Sequence, residues 1–296
     1  MNWRFLDTGP GDGAFNMALD EVLWRGCQKG TSPPTVRAFA WETPTLSLGR
    51  GQKVSRDIDL GALEELKIPL VRRPTGGRAV LHDGELTYSV VFPDEVGEGL
   101  RSARREEEQD VSVATLHKNS ILADYALISR GLVRCLQRLG VPAELSPPGV
   151  PPPRQDGKGA CFLVVSAFEV VVTQGGPSSG RGKKIVGSAQ RRGGGAVLQH
   201  GSILLDLDIE TLSLLFKTGS PQSRKELAQD LSQRMTSLRE VTGREVLYSE
   251  ATLALKAGFG EGLGVALVPG LLTEEEEGLA QDLSKRYRSR KWTFCV

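Results

Sequence analysis

The sequence is short of several things, and each shortage removes a class of protein. Its 296 residues hold four cysteines, Cys27, Cys135, Cys161 and Cys295. They lie far apart, with neither a CxxC pair nor a Cys/His metal spacing, so a disulfide framework and a zinc module are both out of place. Reduced thiols in a cytoplasm fit better. An excess of charge of one sign is also missing. The formal net charge is +1, which leaves no global electrostatic case for binding nucleic acid or an anionic membrane. No apolar run approaches the ~20 residues a bilayer span needs. The opening "MNWRFLDTGPGDGAF" lacks the basic and apolar regions of a signal peptide, so a cytoplasmic location is expected. There is no internal repeat. The remainder, 39% hydrophobic and 25% charged, suits a globular chain with a real core, either one large domain or a domain with a smaller appendage.

Local patterns predict an alternation of short strands and helices. Asp12 reads as an N-cap, and Ala14, Ala18, Leu19, Val22 and Leu23 share one helical stripe. "PTVRAFAW", "TLSLG", "IPLVRR", "RAVLH" and "LTYSVVF" read as strands, with a compact helix at "DIDLGALEELK". Ile121 to Leu139 is helical and stops at Gly140. "SPPGVPPPRQDGKGA" is too rich in proline and glycine for regular structure, and long loops of this kind are often functional. "FEVVV", "KIVGSAQ" and "AVLQHGSILL" are further strands, and helical segments dominate from Ile209 onwards. Runs of consecutive strands predict α+β architecture: a mixed, largely antiparallel sheet flanked by helices, with a small helical C-terminal part. The expected division is a main domain over residues 1–247 (core about 31–247) and a helical extension over 248–296.

Two segments carry candidate chemistry. In "VRRPTGGRAVLHDGELTYS" a Gly-Gly pair joins two strands. A phosphate-binding loop would place its glycines between a strand and a helix, and "RAVLH" continues as a strand, so that reading fails. The glycines serve a hairpin turn. Alternation puts Arg78, Val80 and His82 on one face of "RAVLH"; pocket wall and water-facing hairpin stay equally open on this evidence. Cys161 stands where the Pro/Gly-rich loop meets a strand. A thiol nucleophile wants partial exposure and a nearby cation, and "KKIVGSAQ" offers Lys183 and Lys184, although two lysines before a strand are usually solvated. Cys135, on an apolar helix face, reads as a small buried hydrophobe. "HGSILLD" lacks the G-x-S-x-G elbow of a hydrolase, so Ser202 reads as structural.

Taken together these segments resemble one family. "RRPTGGRAVLHDGELTYS", "KIVGSAQRR" with "LQHGSILLD", and "RAFAWETPTLSLGRGQ" are similar to the ordered signatures of the biotin/lipoate protein ligase superfamily. Within it, Gly-Gly-Arg-Ala-Val followed by "ELTYS" looks like the cysteine-dependent octanoyltransferases of the LipM type. The ATP-dependent ligases typically carry Gly-Gly-Gly-Ala-Val there. The resemblance implies the superfamily's catalytic fold and maps the acyl-accepting cysteine to Cys161, followed by Phe162, Ser166 and Glu169. It maps the lysine that lowers the cysteine's pKa to Lys184. It further implies a substrate pocket formed by Arg73, Thr75, Gly76, Gly77, Arg78, Ala79, Val80 and His82 of the hairpin, with Gly187, Ser188, Ala189, His200 and Gly201 of the second segment. Two departures stand out: "CFLVVSAFE" is less polar than the family's stretch, and "TQGGPSSGRGK" lengthens the approach to Lys184.

The implied reaction is transfer of an octanoyl group from acyl carrier protein to a lysine of a lipoyl-domain protein, in lipoate biosynthesis. Glycine cleavage H protein and the E2 component of 2-oxoacid dehydrogenases are the implied acceptors. No cofactor, nucleic acid or membrane is implied. Alternatives are an ATP-dependent lipoate ligase, an octanoyl amidotransferase between lipoyl proteins, and a silent binding protein on the same fold.

Overall fold

The Asp12 carboxylate accepts the Phe15 N–H at 3.1 Å and starts the first helix, Gly13–Lys29, which satisfies a donor that the helix end would leave orphaned. This helix is the element around which the site is built. The computed structural model describes residues 2–107, 121–146, 168–173 and 182–295.

Its central sheet has six strands: β1 (Asn2–Gly11), β2 (Thr35–Trp41), β6 (Glu85–Pro93), β10 (Val186–Gly193), β11 (Ala196–Leu204) and β12 (Ala266–Pro269), in the order β10-β11-β6-β2-β1-β12. The β2–β6, β6–β11 and β10–β11 pairs are antiparallel, while β1 pairs in parallel with both β2 and β12. A smaller sheet has β3 (Thr45–Leu48) between β4 (Leu70–Arg72) and β5 (Val80–His82). A third joins β7 (Ala143–Leu145), β8 (Val170–Val172) and β9 (Lys183–Lys184). The expected mixed, largely antiparallel architecture is found. Three strands went unpredicted: β1 and β12, the parallel pair at one edge of the central sheet, and the short β7.

Period-two alternation assigns the faces of the central sheet. On one face Val36 and Ala38 of β2, Leu86, Tyr88, Val90 and Phe92 of β6, and Val197 and Ile203 of β11 join the main core. There they meet Leu127, Ile128 and Leu132 of helix Ile121–Arg138 and Leu255 and Phe259 of helix Tyr248–Leu263. On the other face Val91, Leu198 and Leu6 pack under Leu19, Val22, Leu23 and Trp24 of the first helix. Burial of apolar area on both faces, at roughly 25 cal/mol per Å², is what holds the sheet between its helices. Helix Glu274–Arg288 closes over the first helix through Ala280 and Tyr287.

The fully buried Arg72 binds the small sheet to the chain's last described helix. Its guanidinium donates to the Thr293 carbonyl at 2.9 and 2.6 Å, and to the carbonyls of Gly49, Arg50 and Gln52 at 2.7–3.1 Å. Trp292 Nε1 returns a bond to the Arg72 carbonyl at 3.0 Å.

"KIVGSAQ" is not one strand. The pairing breaks at Ile185, so Lys183–Lys184 belong to the third sheet and Val186 onwards to the central one. Ile185 and Val186 are both buried in the main core, which simple alternation along one strand does not allow. "FEVVV" is likewise a strand only from Val170; Phe168 turns the chain with a φ of 62°.

Candidate active site

The pocket opens on the face of the central sheet that carries the first helix. Met17, Trp41, Arg73, Val80, His82, Thr87, Gly187, Ser188, Ala189, His200, Gly201 and Ser202 line it, around a narrow cavity of about 20 Å³. Its lining is mostly apolar with a few placed polar groups, as in ligand pockets generally.

Beneath it lies a polar row set by strand register. Arg37, Ser89 and His200 are cross-strand neighbours on β2, β6 and β11, and Asp20 descends onto them from the first helix. Asp20 Oδ1 accepts from Arg37 at 2.9 Å and from Ser89 Oγ at 2.8 Å, and Oδ2 lies 2.8 Å from His200 Nδ1. Burial alone would push the Asp20 carboxyl up, but the His200 hydrogen bond and the Arg37 charge carry it below its usual range. Burial pulls His200 down, against the opposing influence of Asp20. A neutral imidazole therefore donates from Nδ1 to Asp20 and accepts at Nε2 from the Thr75 hydroxyl, 2.6 Å away. Arg37, with no exposure, also donates to Thr8 Oγ1 and Asn16 Oδ1, so the buried charges meet partners on every side.

A second network forms the wall beside it. The His82 ring stacks against Trp41, with centroids 4.0 Å apart and planes at 13°. Its Nδ1 lies 2.6 Å from Glu85 Oε1 and its Nε2 2.5 Å from Ser47 Oγ. Ser202 and Thr87 both donate to the same Glu85 oxygen, and Trp41 Nε1 donates to Thr87 Oγ1 at 2.8 Å. Arg73 donates through one nitrogen to Ser47 Oγ (2.7 Å) and through the other to the carbonyls of Gly76 (3.0 Å) and Arg78 (2.9 Å). The guanidinium thus clamps the Gly-Gly turn from inside. Gly77 has φ of 88°, a conformation that side chains other than hydrogen rarely adopt.

On the opposite side, Gln199 donates to the Tyr88 hydroxyl at 3.0 Å, and that hydroxyl lies 2.7 Å from Ser188 Oγ. Burial pushes Tyr88 up to about 12, so it stays a neutral phenol, and either hydroxyl can donate to the other. A Cβ at Gly201 would come within 2.3 Å of the Gly187 carbonyl, so the pocket floor depends on glycine there.

The predicted residues therefore divide. Arg73, Val80, His82, Gly187, Ser188, Ala189, His200 and Gly201 line one cavity, though they come from segments over 100 positions apart. Thr75 sits behind it, held to His200. Gly76 and Gly77 are exposed at the turn, Arg78 is half-buried, and Ala79 faces the neighbouring apolar cluster. Of the two readings open for the hairpin, pocket wall is the one found for Arg73 and His82, both buried. Lys184 does not line the cavity. It is buried, with Nζ 2.7 Å from Glu169 Oε1, whereas Lys183 reaches the surface carboxylate of Glu240 at 2.8 Å. Local sequence favoured solvated lysines; Glu169, just before β8, reverses that for Lys184. Cys161, Phe162 and Ser166, with most of the insertion before Lys183, lie outside the described residues. Burial pushes the thiols of Cys27 and Cys135 up to about 12, as befits packing residues. Met17, Trp41, Thr87 and Ser202 were missed. Ser202 and Thr87 share a register position, a signal that appears only once β6 and β11 are paired.

The family model described as the lipoyl protein ligase A/B catalytic domain matches residues 12–260. Octanoyltransferase LipM of Kyrpidia tusciae is 40% identical over 99% of this chain and 98% of its own. The enzyme of the same name from Geobacillus kaustophilus is 39% identical with the same coverage. The chain belongs to the LipM octanoyltransferase family. It is accordingly an acyltransferase, as the motifs implied. Among solved structures it is similar to the bipartite lipoate protein ligase of Thermoplasma acidophilum, with a TM-score of 0.75 and 26% identity over 100% of this chain and 98% of that one. It is also similar to a lipoate-protein ligase A bound with ATP, with a TM-score of 0.73 and 26% identity over 99% of each chain. Among the described residues no helix is long and apolar enough to cross a membrane.

Proposed function

We propose that the protein moves an octanoyl group from acyl carrier protein to the ε-amine of a lysine on a lipoyl-domain protein, through a thioester on Cys161. The observation that carries this reading is the narrow, largely apolar pocket that both motif segments line together, in a chain of the LipM family.

In the first half-reaction the Cys161 thiolate attacks the acyl carbonyl, a carbon–sulfur bond forms, the carrier's carbon–sulfur bond breaks, and its thiolate takes up the proton that Cys161 gave up on ionising. One thioester replaces another at little net free-energy cost. In the second, the lysine nitrogen attacks the new thioester, an amide forms, Cys161 leaves as thiolate, and the proton lost by the amine restores its thiol. A free cysteine, with a pKa near ~8.5, is only a few per cent ionised at neutral pH. A cation ~4 Å from the sulfur would contribute about 4 kcal/mol at an effective dielectric of ~20, before desolvation. Lys184 is the residue assigned that role, and its ion pair with Glu169 offsets the cost of keeping the ammonium out of water. The octanoyl tail occupies the space walled by Trp41, Val80 and Ala189. The oxyanion is met by backbone N–H groups at Gly76–Gly77 and the Lys184–Ser188 segment.

The test is intact-mass measurement after mixing with octanoyl-acyl carrier protein in the absence of ATP. An octanoyl adduct is expected on the wild type and none on Cys161→Ala. A wild type that stays unmodified defeats the proposal, as does transfer that requires ATP and survives in Cys161→Ser.

A further inference from the structure

Two arginines stand at the hairpin beside the pocket and take no part in its walls. Arg191 follows Ala189 by two residues on β10, hence on the same face, and its guanidinium reaches the Pro74 carbonyl at 3.4 Å while lying 4.1 Å over the Trp24 ring. Arg50 is exposed, and its backbone N–H donates to the next carbonyl, that of Thr75, at 2.8 Å. Both are thus mounted on the two residues that precede the Gly-Gly turn.

Arg25, close by, is met by Glu21 at 2.5 Å, and the same carboxylate takes Arg286 and the Tyr287 hydroxyl. Among the described residues no carboxylate forms an ion pair with Arg50 or Arg191. Burial first, and then repulsion from Arg50, hold Arg191 below the usual guanidinium range, against a weaker attraction from Glu21. Like charges gathered at a mouth favour an arriving anion and raise its rate of encounter.

Reach decides which anion. A lysine holds its amine five bonds from Cα, on the order of 6 Å. An acceptor must therefore bring its own backbone, and the residues flanking the lysine, to the hairpin. A pantetheine arm has thirteen bonds between sulfur and phosphate, roughly 16 Å by the same bond lengths, and keeps both its phosphate and its carrier farther away.

We propose that Arg50 and Arg191 are a docking pair for the acceptor, meeting carboxylates that flank the target lysine. The inference rests on the acyl-transfer reading, and the experiment separates the two. Enzyme is loaded from octanoyl-acyl carrier protein, desalted, and mixed with three acceptors: an E2 lipoyl domain, the same domain with the flanking carboxylates changed to amides, and hydroxylamine. Loading of the double variant Arg50→Glu/Arg191→Gln should match the wild type. Its transfer to the native domain should fall ~10-fold or more, with little change toward the amide-flanked domain or hydroxylamine. Added salt should slow the wild type more than the variant. A lipoyl domain with lysines in the flanking positions should restore the rate with Arg50→Glu alone, an exposed substitution that leaves the Trp24 stack in place. Equal slowing toward hydroxylamine, or none toward the native domain, overturns the docking pair. A wild-type enzyme that never loads overturns the reading beneath it.

Discussion

His200 Nδ1 lies 2.8 Å from Asp20 Oδ2, joining β11 to the first helix across 180 positions of sequence. The pair sits under the hairpin and, through Thr75, holds the last residues before the Gly-Gly turn.

Its pH dependence has a definite sign. His200 is pulled below 6.5 in the folded state, so between that value and its folded pKa the unfolded chain binds a proton that the native one refuses. Stability therefore falls as pH drops below ~6.5, by at most about 1.4 kcal/mol per pH unit for one proton. Asp20, depressed by its partners, adds stability above its ordinary pKa that is lost only in stronger acid. Urea midpoints measured from pH 7.5 to 5 should decline in the wild type and decline less steeply in His200→Gln. Parallel slopes would reject the assignment.

Lys184 and Glu169 should move a thiol in opposite directions. Lys184→Ala removes a cation, so alkylation of Cys161 should require higher pH; it also strands a buried carboxylate, at a cost of roughly 3–5 kcal/mol. Glu169→Gln removes the opposing carboxylate and should shift the alkylation profile to lower pH. Iodoacetamide rates against pH, with mass readout at Cys161, check both. Unmoved profiles would transfer the role to Lys183.

Gly201→Ala places a methyl 2.3 Å from where the Gly187 carbonyl stands. Overpacking of this kind costs ~1–3 kcal/mol, and here it must spread β10 from β11 at the pocket floor. A lower melting temperature together with lost acyl-enzyme formation is expected. Wild-type loading in a folded variant would mean that the acyl chain lies elsewhere.

Trp41 contributes wall area and a hydrogen bond. Trp41→Phe keeps a ring against His82 and loses only the bond to Thr87, whereas Trp41→Ala opens the wall. Initial rates with octanoyl, decanoyl and dodecanoyl carriers should show Trp41→Phe near wild type. Trp41→Ala should lose about tenfold or more on octanoyl, in keeping with the apolar area an aromatic supplies, and gain relative preference for the longer chains. An unaltered preference would remove Trp41 from the pocket wall.

Local sequence was enough wherever local physics decided the outcome. Asp12 announces the first helix, and the strands of the hairpin follow from their apolar runs and the turn glycines. What stayed hidden depended on partners remote in sequence. β1 is broken by a register shift between Asp7 and Pro10, and β12 is four largely exposed residues, so neither carries a clean alternation. Lys184 looks solvated until Glu169 is brought beside it. Arg37 reads as an ordinary strand arginine until Asp20 covers it. The pocket's Trp41 and Thr87 have no motif of their own, because they become wall only when β2 and β6 pair. The resemblance to a known family supplied the hairpin and β10–β11 residues of the pocket, which local alternation left undecided.

The parallel contact of β1 with β12 ties Asn2–Phe5 to Ala266–Pro269. During synthesis the edge beside Trp3 and Phe5 must wait, unsatisfied, until Ala266–Pro269 has left the ribosome, more than 250 positions later. Contacts of such separation in sequence make for slow folding, so the nascent protein passes through a sticky interval that a chaperone is suited to cover.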